Sequence, residues 1–213
     1  DRGYLEKVNG QIQFVPDPKG WLEVWKAPSQ RREYYIGGDV SKGLATGDFS
    51  AGPTFSNNYE LTALWHGHID PDLFAEQLEL LGLWYGEALI AVEENNHGLT
   101  VLNKLKQNYS NLYYRTTHNK LTDERKRELG WYTTEQTKKL AIDNLARLIR
   151  ERRLWIKSRK FIQECLTYVV EDDGKTNAQE GCHDDIVMAS AIILYVMEQY
   201  ATDRKSTRLN SSH

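Results

Sequence analysis

Tyr34-Tyr35-Ile36-Gly37-Gly38-Asp39 decides how this chain folds, because a short run of apolar and small residues ends on a carboxylate. Aromatic and β-branched residues over so few positions, followed by the Gly/Ser/Asp-rich stretch 41–50, predict a buried strand over 34–40. The pattern returns in Ala88-Leu89-Ile90-Ala91-Val92-Glu93, a second short apolar run closed by an acid. In the third occurrence the order is reversed. Asp184 and Asp185 open the segment Ile186-Val187-Met188-Ala189-Ser190-Ala191-Ile192-Ile193-Leu194. That segment is too long for a strand and predicts a core helix from about His183 to Tyr200. Acids therefore sit at the ends of two core strands and at the start of a core helix. If they converge, they form a cage of hard oxygen ligands suited to Mg²⁺ or Mn²⁺ and to metal-assisted attack on phosphate.

Outward from these runs, Gly20-Trp21-Leu22-Glu23-Val24-Trp25 alternates as a half-buried strand does. Pro16, Pro18 and Gly20 mark a turn, so residues 1–19 read as an N-terminal linker. Strands are expected at 49–56 and 59–67, with Asn57-Asn58 as the hairpin turn. Asp70-Pro71 suits the start of a helix whose periodic positions run from Leu73 to Trp84. A strand over 87–93, a helix over 98–107 and a strand near 112–114 follow. The polar stretch 115–132 reads as a long loop or flap. Thr133 or Thr134 begins a long helix to about Arg152, with Glu135-Gln136 at capping-box positions. A shorter helix covers 158–166, and 167–171 with 176–179 read as a hairpin. Residues 202–213 read as a disordered or cloning-derived tail, which leaves one domain over 20–201. The fold class is α/β: a mixed sheet with helices on both faces, plus the late hairpin.

The chain has 213 residues, 40% hydrophobic and 27% charged, which places it among globular rather than disordered proteins. No apolar stretch reaches the length of a membrane span, and Asp1-Arg2-Gly3-Tyr4 does not read as a signal peptide. Cys165 and Cys182 lack metal-binding spacing and read as reduced thiols. The net charge of −3 argues weakly against a general nucleic-acid coat but is compatible with clustered metal-binding acids. Basic residues concentrate between Lys138 and Lys160. Arg147, Arg150 and Arg153 are the candidates there for contact with a polyanion, against the alternative of a solvated helix face.

Strand-Gly-Gly-Asp39, strand-Glu93-Glu94-Asn95-Asn96, and Gly181-Cys182-His183-Asp184-Asp185 before the last helix resemble the ribonuclease H-like nucleases. More narrowly, the chain from about 20 to 200 resembles the C-terminal nuclease domain of the large terminase subunit of tailed bacteriophages. The resemblance implies an endonuclease that cleaves concatemeric viral DNA during packaging in the host cytoplasm, not a secreted protein. It also implies an ATPase domain in the full-length protein, with the small terminase subunit and the portal as partners. Gly37-Gly38-Asp39-Val40-Ser41-Lys42-Gly43 does not match the phosphate-loop pattern, so this chain is expected to lack ATPase activity.

The chemistry has its own logic. A metal pair about 4 Å apart activates water and stabilises the leaving oxygen of a phosphodiester. Neighbouring residues alone cannot surround two ions, so ligands must come from separate parts of the chain. Asp39 is the expected bridge, with Glu93 on one metal and Asp185 on the other. Asp185 is favoured over Asp184 because it adjoins the apolar stripe. Asp184 remains a ligand, cap or supporting residue. His183 beside the acidic pair and Lys42 after Asp39 are accessory candidates. Glu94, Asn95 and Asn96 could reach the metal shell or belong to a turn. His66, His68, His97 and His118 show no ligand spacing. The tryptophans read as core or partly buried, with Trp131 in the flap the one suspected of a contact. The competing readings are a Holliday-junction resolvase or transposase-like nuclease of the same fold, and a non-catalytic DNA-binding or motor-docking module.

Overall fold

A computed structural model of the chain describes every residue except 44–48, 120–122, 171–175, 180 and 211–213. Its centre is a seven-stranded sheet of β1 (Arg2–Val8), β2 (Gln11–Pro16), β3 (Leu22–Val24), β4 (Tyr34–Gly38), β5 (Ser50–Ser56), β6 (Leu61–Gly67) and β7 (Leu89–Val92). The strand order is β2-β1-β3-β6-β5-β4-β7. Neighbours are antiparallel except β4 and β7, which run parallel. The helices are α1 (Pro71–Trp84), α2 (Gly98–Asn108), α3 (Glu135–Arg150), α4 (Arg159–Thr167) and α5 (Asp185–Asn210). Two short ribbons, β8 (Tyr114–Asn119) with β9 (Glu124–Leu129) and β10 (Tyr168–Val170) with β11 (Thr176–Ala178), complete the described elements. The mixed sheet, its two helical faces and the late hairpin are those the sequence pattern predicts. Among the described residues no helix is long and apolar enough to cross a membrane.

Strand periodicity splits the core in two. On one face Tyr35, Leu89 and Ala91 pack with Leu145, Phe161, Ile186 and Ile193 of α3, α4 and α5. On the other, Tyr34, Ile36, Ile90 and Val92 pack with Phe74, Leu78, Val101 and Leu105 of α1 and α2. Gly37 faces α5, and a Cβ added there would collide with the carbonyl oxygen of Ala189. The glycine thus lets the helix backbone lie directly on the strand.

Four expectations need correction. Residues 1–19 are not a linker, because β1 and β2 pair with each other and β1 extends the sheet from β3. Asn9-Gly10, with φ of 50° and 81°, is the two-residue hairpin turn that the nearby prolines obscured. Pro16 is tolerated because β2 is an edge strand. The stretch 115–132 holds the β8–β9 ribbon rather than a loop, and β9 is polar because most of it is exposed. Residues 202–210 continue α5. A running helix extends cheaply, and no Gly or Pro stops this one before Asn210. Finally, Trp131 is buried at 4% exposure against Tyr195, whereas Trp155 is exposed at 68%.

Smaller differences have local causes. Thr134 caps α3 through a reciprocal pair with Thr137, not with Glu135 or Gln136. Asp70 stands at the start of α1 but its side chain makes no capping hydrogen bond.

The seating of α5 on β4 generates a prediction. Gly37→Ala is expected to destabilise the fold by about 1–3 kcal/mol, the usual cost of overpacking a close approach. A urea midpoint equal to wild type would show that the helix does not rest on the strand there.

Candidate metal centre

Backbone pairing alone brings two of the three acidic motifs together. β4 and β7 pair in parallel register, Gly37 beside Ala91 and Gly38 beside Val92. Glu93 N–H donates to the Gly38 carbonyl at 2.9 Å, so Asp39 and Glu93 end adjacent strands. By the two-residue alternation, Asp39 follows Tyr35 and Gly37, and Glu93 follows Leu89 and Ala91, onto the α5 face. On its other side Asp39 exchanges both backbone hydrogen bonds with Ala51 of β5, each 3.0 Å.

The third motif comes from above. α5 crosses this face with Asp185 in its first turn, 7% exposed. Asp185 Oδ2 accepts the Phe49 N–H at 3.4 Å and lies 3.8 Å from His183 Nδ1. Asp184 is less buried, and its carbonyl accepts the Met188 N–H at 2.8 Å, which puts it at the boundary of the helix.

Electrostatics records the convergence. The Asp39 carboxyl is held well above the usual aspartate range, first by burial, then by the charges of Glu93, Asp185 and Asp184. A hydrogen bond from the Val40 amide opposes this only in part. A carboxyl raised by burial and by neighbouring carboxylates fits a site for a divalent cation, whose charge would offset that repulsion.

Two residues in the site's wall belong to none of the three motifs. Glu164 of α4 accepts the Ile186 and Val187 N–H groups on a single oxygen, both at 2.9 Å. These are among the open amides of the first turn of α5, which no residue of that helix can satisfy. Burial is the largest cause that pushes Glu164 up to about 7; those amides oppose it and the charges of Asp185 and Asp184 add to it. His66 of β6 stacks on Phe49, with ring centroids 4.4 Å apart. Burial, then the positive charges of Lys160, His183 and His68, push it down to about 3. One cue for Glu164 was available: a carboxylate three residues after Phe161, on the inward stripe of an amphipathic helix.

The remaining candidates separate. His183 is exposed at the rim and meets Phe49 edge-on, with centroids 5.2 Å apart. Lys42 is exposed just past Asp39. Glu94 pairs with Arg115, which also binds Glu128 at 2.7 Å. Asn95 orders the turn before α2, accepting the His97 and Gly98 N–H groups at 3.1 and 2.7 Å. In the basic stretch, Arg147 pairs with Glu198 and Glu151, and Arg153 reaches Glu198 at 3.4 Å while lying over the Tyr59 ring. Glu198 stands 13 residues beyond Asp185 on one helix, roughly 20 Å along its axis. Arg147 and Arg153 thus hold α3 and the segment after it to the far part of α5, away from the acids; Arg150 is exposed.

Residues 36–196 match the family described as the Terminase RNaseH-like domain, and the chain belongs to that family. Among solved structures it is similar to the large terminase nuclease of thermophilic phage G20c with bound magnesium. The identity is 19%, with 84% of this chain and 88% of that chain covered and a TM-score of 0.67. The large terminase nuclease domain of Thermus phage P74-26 matches at 19% identity, 83% and 86% coverage and a TM-score of 0.64. The manganese-soaked human cytomegalovirus terminase nuclease domain matches at 10% identity, 78% and 83% coverage and a TM-score of 0.50. These likenesses establish the ribonuclease H-like fold.

The charge crowding predicts an unusual stability profile. A carboxyl whose value is raised on folding stabilises the fold while protonated, and that stability is lost as pH rises through the raised value. Asp39→Asn is therefore expected to melt above wild type at neutral pH in EDTA, with the gap closing on acidification. A variant that melts below wild type at neutral pH would show that the carboxylates do not repel one another.

Proposed function

We propose that this domain is a metal-dependent DNA endonuclease that cleaves viral DNA during genome packaging, with Asp39, Glu93 and Asp185 as its catalytic residues. The observation that carries this reading is the meeting of the three motifs at the ends of β4 and β7 under the first turn of α5. Family membership supports the nuclease and packaging context, and the metals named for the related structures support a divalent cofactor.

Divalent ions held by these carboxylates, Mg²⁺ or Mn²⁺ and two in number, would supply an activated water and charge stabilisation at the leaving oxygen. Asp39, whose carboxyl feels the charges of Glu93, Asp185 and Asp184, would be the ligand common to the set. Glu93 would contribute from β7, fixed by its backbone bond to Gly38. Asp185 would contribute from α5, and Asp184 from the helix boundary. Rigid strands and a packed helix position all of them, so little reorganisation accompanies substrate binding. His183 at the rim stands where it can exchange protons with solvent or meet a phosphate.

The substrate is double-stranded concatemeric DNA. In the full-length protein the domain works beside an ATPase domain, with the small terminase subunit and the portal, in the host cytoplasm. The reading is tested with supercoiled plasmid, in parallel with a four-way junction. Cleavage of the plasmid in Mn²⁺ or Mg²⁺, abolished by excess EDTA, is the expected result. Strong preference for the junction would favour a resolvase, and full activity in EDTA would exclude metal catalysis.

Asp39→Asn, Glu93→Gln and Asp185→Asn are each expected to lower cleavage by more than about 100-fold, beyond the range typical of residues that only orient ligands. Their circular dichroism should remain that of wild type. A variant that keeps near wild-type rates would lose its ligand role.

The basic stretch makes a separate prediction. Each phosphate contact adds about 0.9 to the salt slope of duplex binding. Because Arg147 and Arg153 are paired with Glu198, neutralising both should lower the melting temperature and leave the slope nearly unchanged. Neutralising Arg150 should remove at most one contact. A slope that falls by about 1.8 in the double variant would put DNA on α3 and the segment after it.

A further inference from the structure

The row of residues that holds Asp39 continues past it. Glu93, Asp39, Ala51 and His66 lie side by side on β7, β4, β5 and β6, through the parallel pairing, the Asp39–Ala51 bridge and the Ala51–His66 register. His66 is two residues from Leu64, which packs in the α5-face cluster, so its side chain shares that face. Asp39 and His66 are two strand spacings apart, roughly 10 Å. Asp185 comes down from α5 above this row.

We propose that His66 and Glu164 form, with Asp185, a mixed nitrogen–oxygen metal position that takes Mn²⁺, Co²⁺ or Zn²⁺ in preference to Mg²⁺. The inference rests on the nuclease reading only in that Asp185 is shared with the site proposed there. Each of the three residues offers one ligand atom, and these atoms lie within 4.8 Å of one another. Tetrahedral ligands at about 2.0–2.2 Å from one ion lie about 3.3–3.6 Å apart, so closing on a cation needs these side chains to draw in by about 1 Å.

Two independent observations point to a ligand. First, His66 Nε2 is buried and has no hydrogen-bond partner among the described residues. Its other nitrogen, Nδ1, lies 3.5 Å from Lys160 Nζ. A buried unpaired ring nitrogen is costly, and metal ligation through Nε2, with the proton on Nδ1 and Lys160 held by Glu23 at 3.2 Å, would satisfy it. Second, a cavity of about 250 Å³ lined by Phe49, His66, Lys160, Glu164 and His183 opens onto two of the three residues and provides an entry path.

The chemistry selects among cations. The Ile186 and Val187 amides fix Glu164 through one oxygen and thereby orient the carboxylate, as supporting hydrogen bonds orient metal ligands. An imidazole among the ligands disfavours Mg²⁺, which prefers oxygen donors and retained waters, and suits later first-row ions.

The test is metal binding by the whole chain, without DNA. Isothermal titration with Co²⁺, Zn²⁺ and Mg²⁺ is compared for wild type, His66→Ala and Glu164→Gln, the last keeping an oxygen that can accept the α5 amides. Both variants are expected to lose about tenfold or more in Co²⁺ and Zn²⁺ affinity and to change Mg²⁺ affinity little. Crystals soaked in Zn²⁺ should show an anomalous peak between His66, Glu164 and Asp185. If both variants fold and bind Co²⁺ and Zn²⁺ as wild type does, or if zinc lies only between Asp39 and Glu93, the inference is overturned. Metal-dependent cleavage with unchanged Co²⁺ and Zn²⁺ binding in both variants would sink this position alone. His66-dependent zinc binding without any DNA cleavage would sink the nuclease reading alone.

Discussion

The parallel register of β4 against β7, with α5 seated on top, is the constraint on which the rest of the molecule depends. It places Asp39 and Glu93 on one face of neighbouring strands and brings Asp185 over them. Left to themselves these carboxylates would separate, because the charges of Glu93 and Asp185 raise the cost of ionising Asp39. They stay together because each is anchored by backbone and packing. Asp39 is locked to β5 by two backbone hydrogen bonds, Glu93 to the Gly38 carbonyl by one, and Asp185 by a helix whose residues from Ile186 to Leu194 are buried. The buried apolar surface of the sheet and α5 offsets the repulsion, so the strain is concentrated at one end of an otherwise ordinary core.

Gly37 makes this geometry possible at a single point. A side chain there would lift α5 from the strand, and the first turn carrying Asp185 would move with it. The opening of α5 needs a second support, since its first amides have no partner within the helix. Glu164 supplies one from α4, which is why an acid that takes no part in the three motifs is buried beside them. The same carboxylate then faces the ligand atoms of His66 and Asp185. A helix N-terminus and the proposed cation position both draw carboxylate oxygens, so one residue can serve both.

The legible part of the fold was the part written in periodicity. Continuous apolar runs marked β4 and β7, and a long apolar segment marked α5, so the ends where Asp39, Glu93 and Asp185 stand could be located. What escaped notice had a physical cause in each case. The β1–β2 hairpin was masked by Pro16 and Pro18, although Asn9-Gly10 carried its turn signal. The β8–β9 ribbon bears exposed residues along most of β9, and a two-sided polar ribbon has no alternation to read. His66 and Glu164 come together from β6 and α4, which are far apart in the chain. Their meeting is a tertiary fact that no spacing encodes.

The basic helix shows the converse limit. Lys and Arg density between 138 and 160 reads equally well as a surface for a polyanion or as a face that pairs internally. Glu198 decides for two of the arginines, because one partly buried carboxylate on α5 accepts both Arg147 and Arg153. A carboxylate at that depth would be costly without cations around it, and α3 would lose a polar anchor to the helix it packs against. Charge in this chain is therefore segregated along α5. At its first turn acids gather beside Asp39, a cluster that suits a cation from solution. About 13 residues on, along one helix, an acid is neutralised by the protein's own arginines. The same helix thus carries a cluster of acids at one end and serves as a strut beyond it, and the difference lies in which charges the neighbouring elements bring.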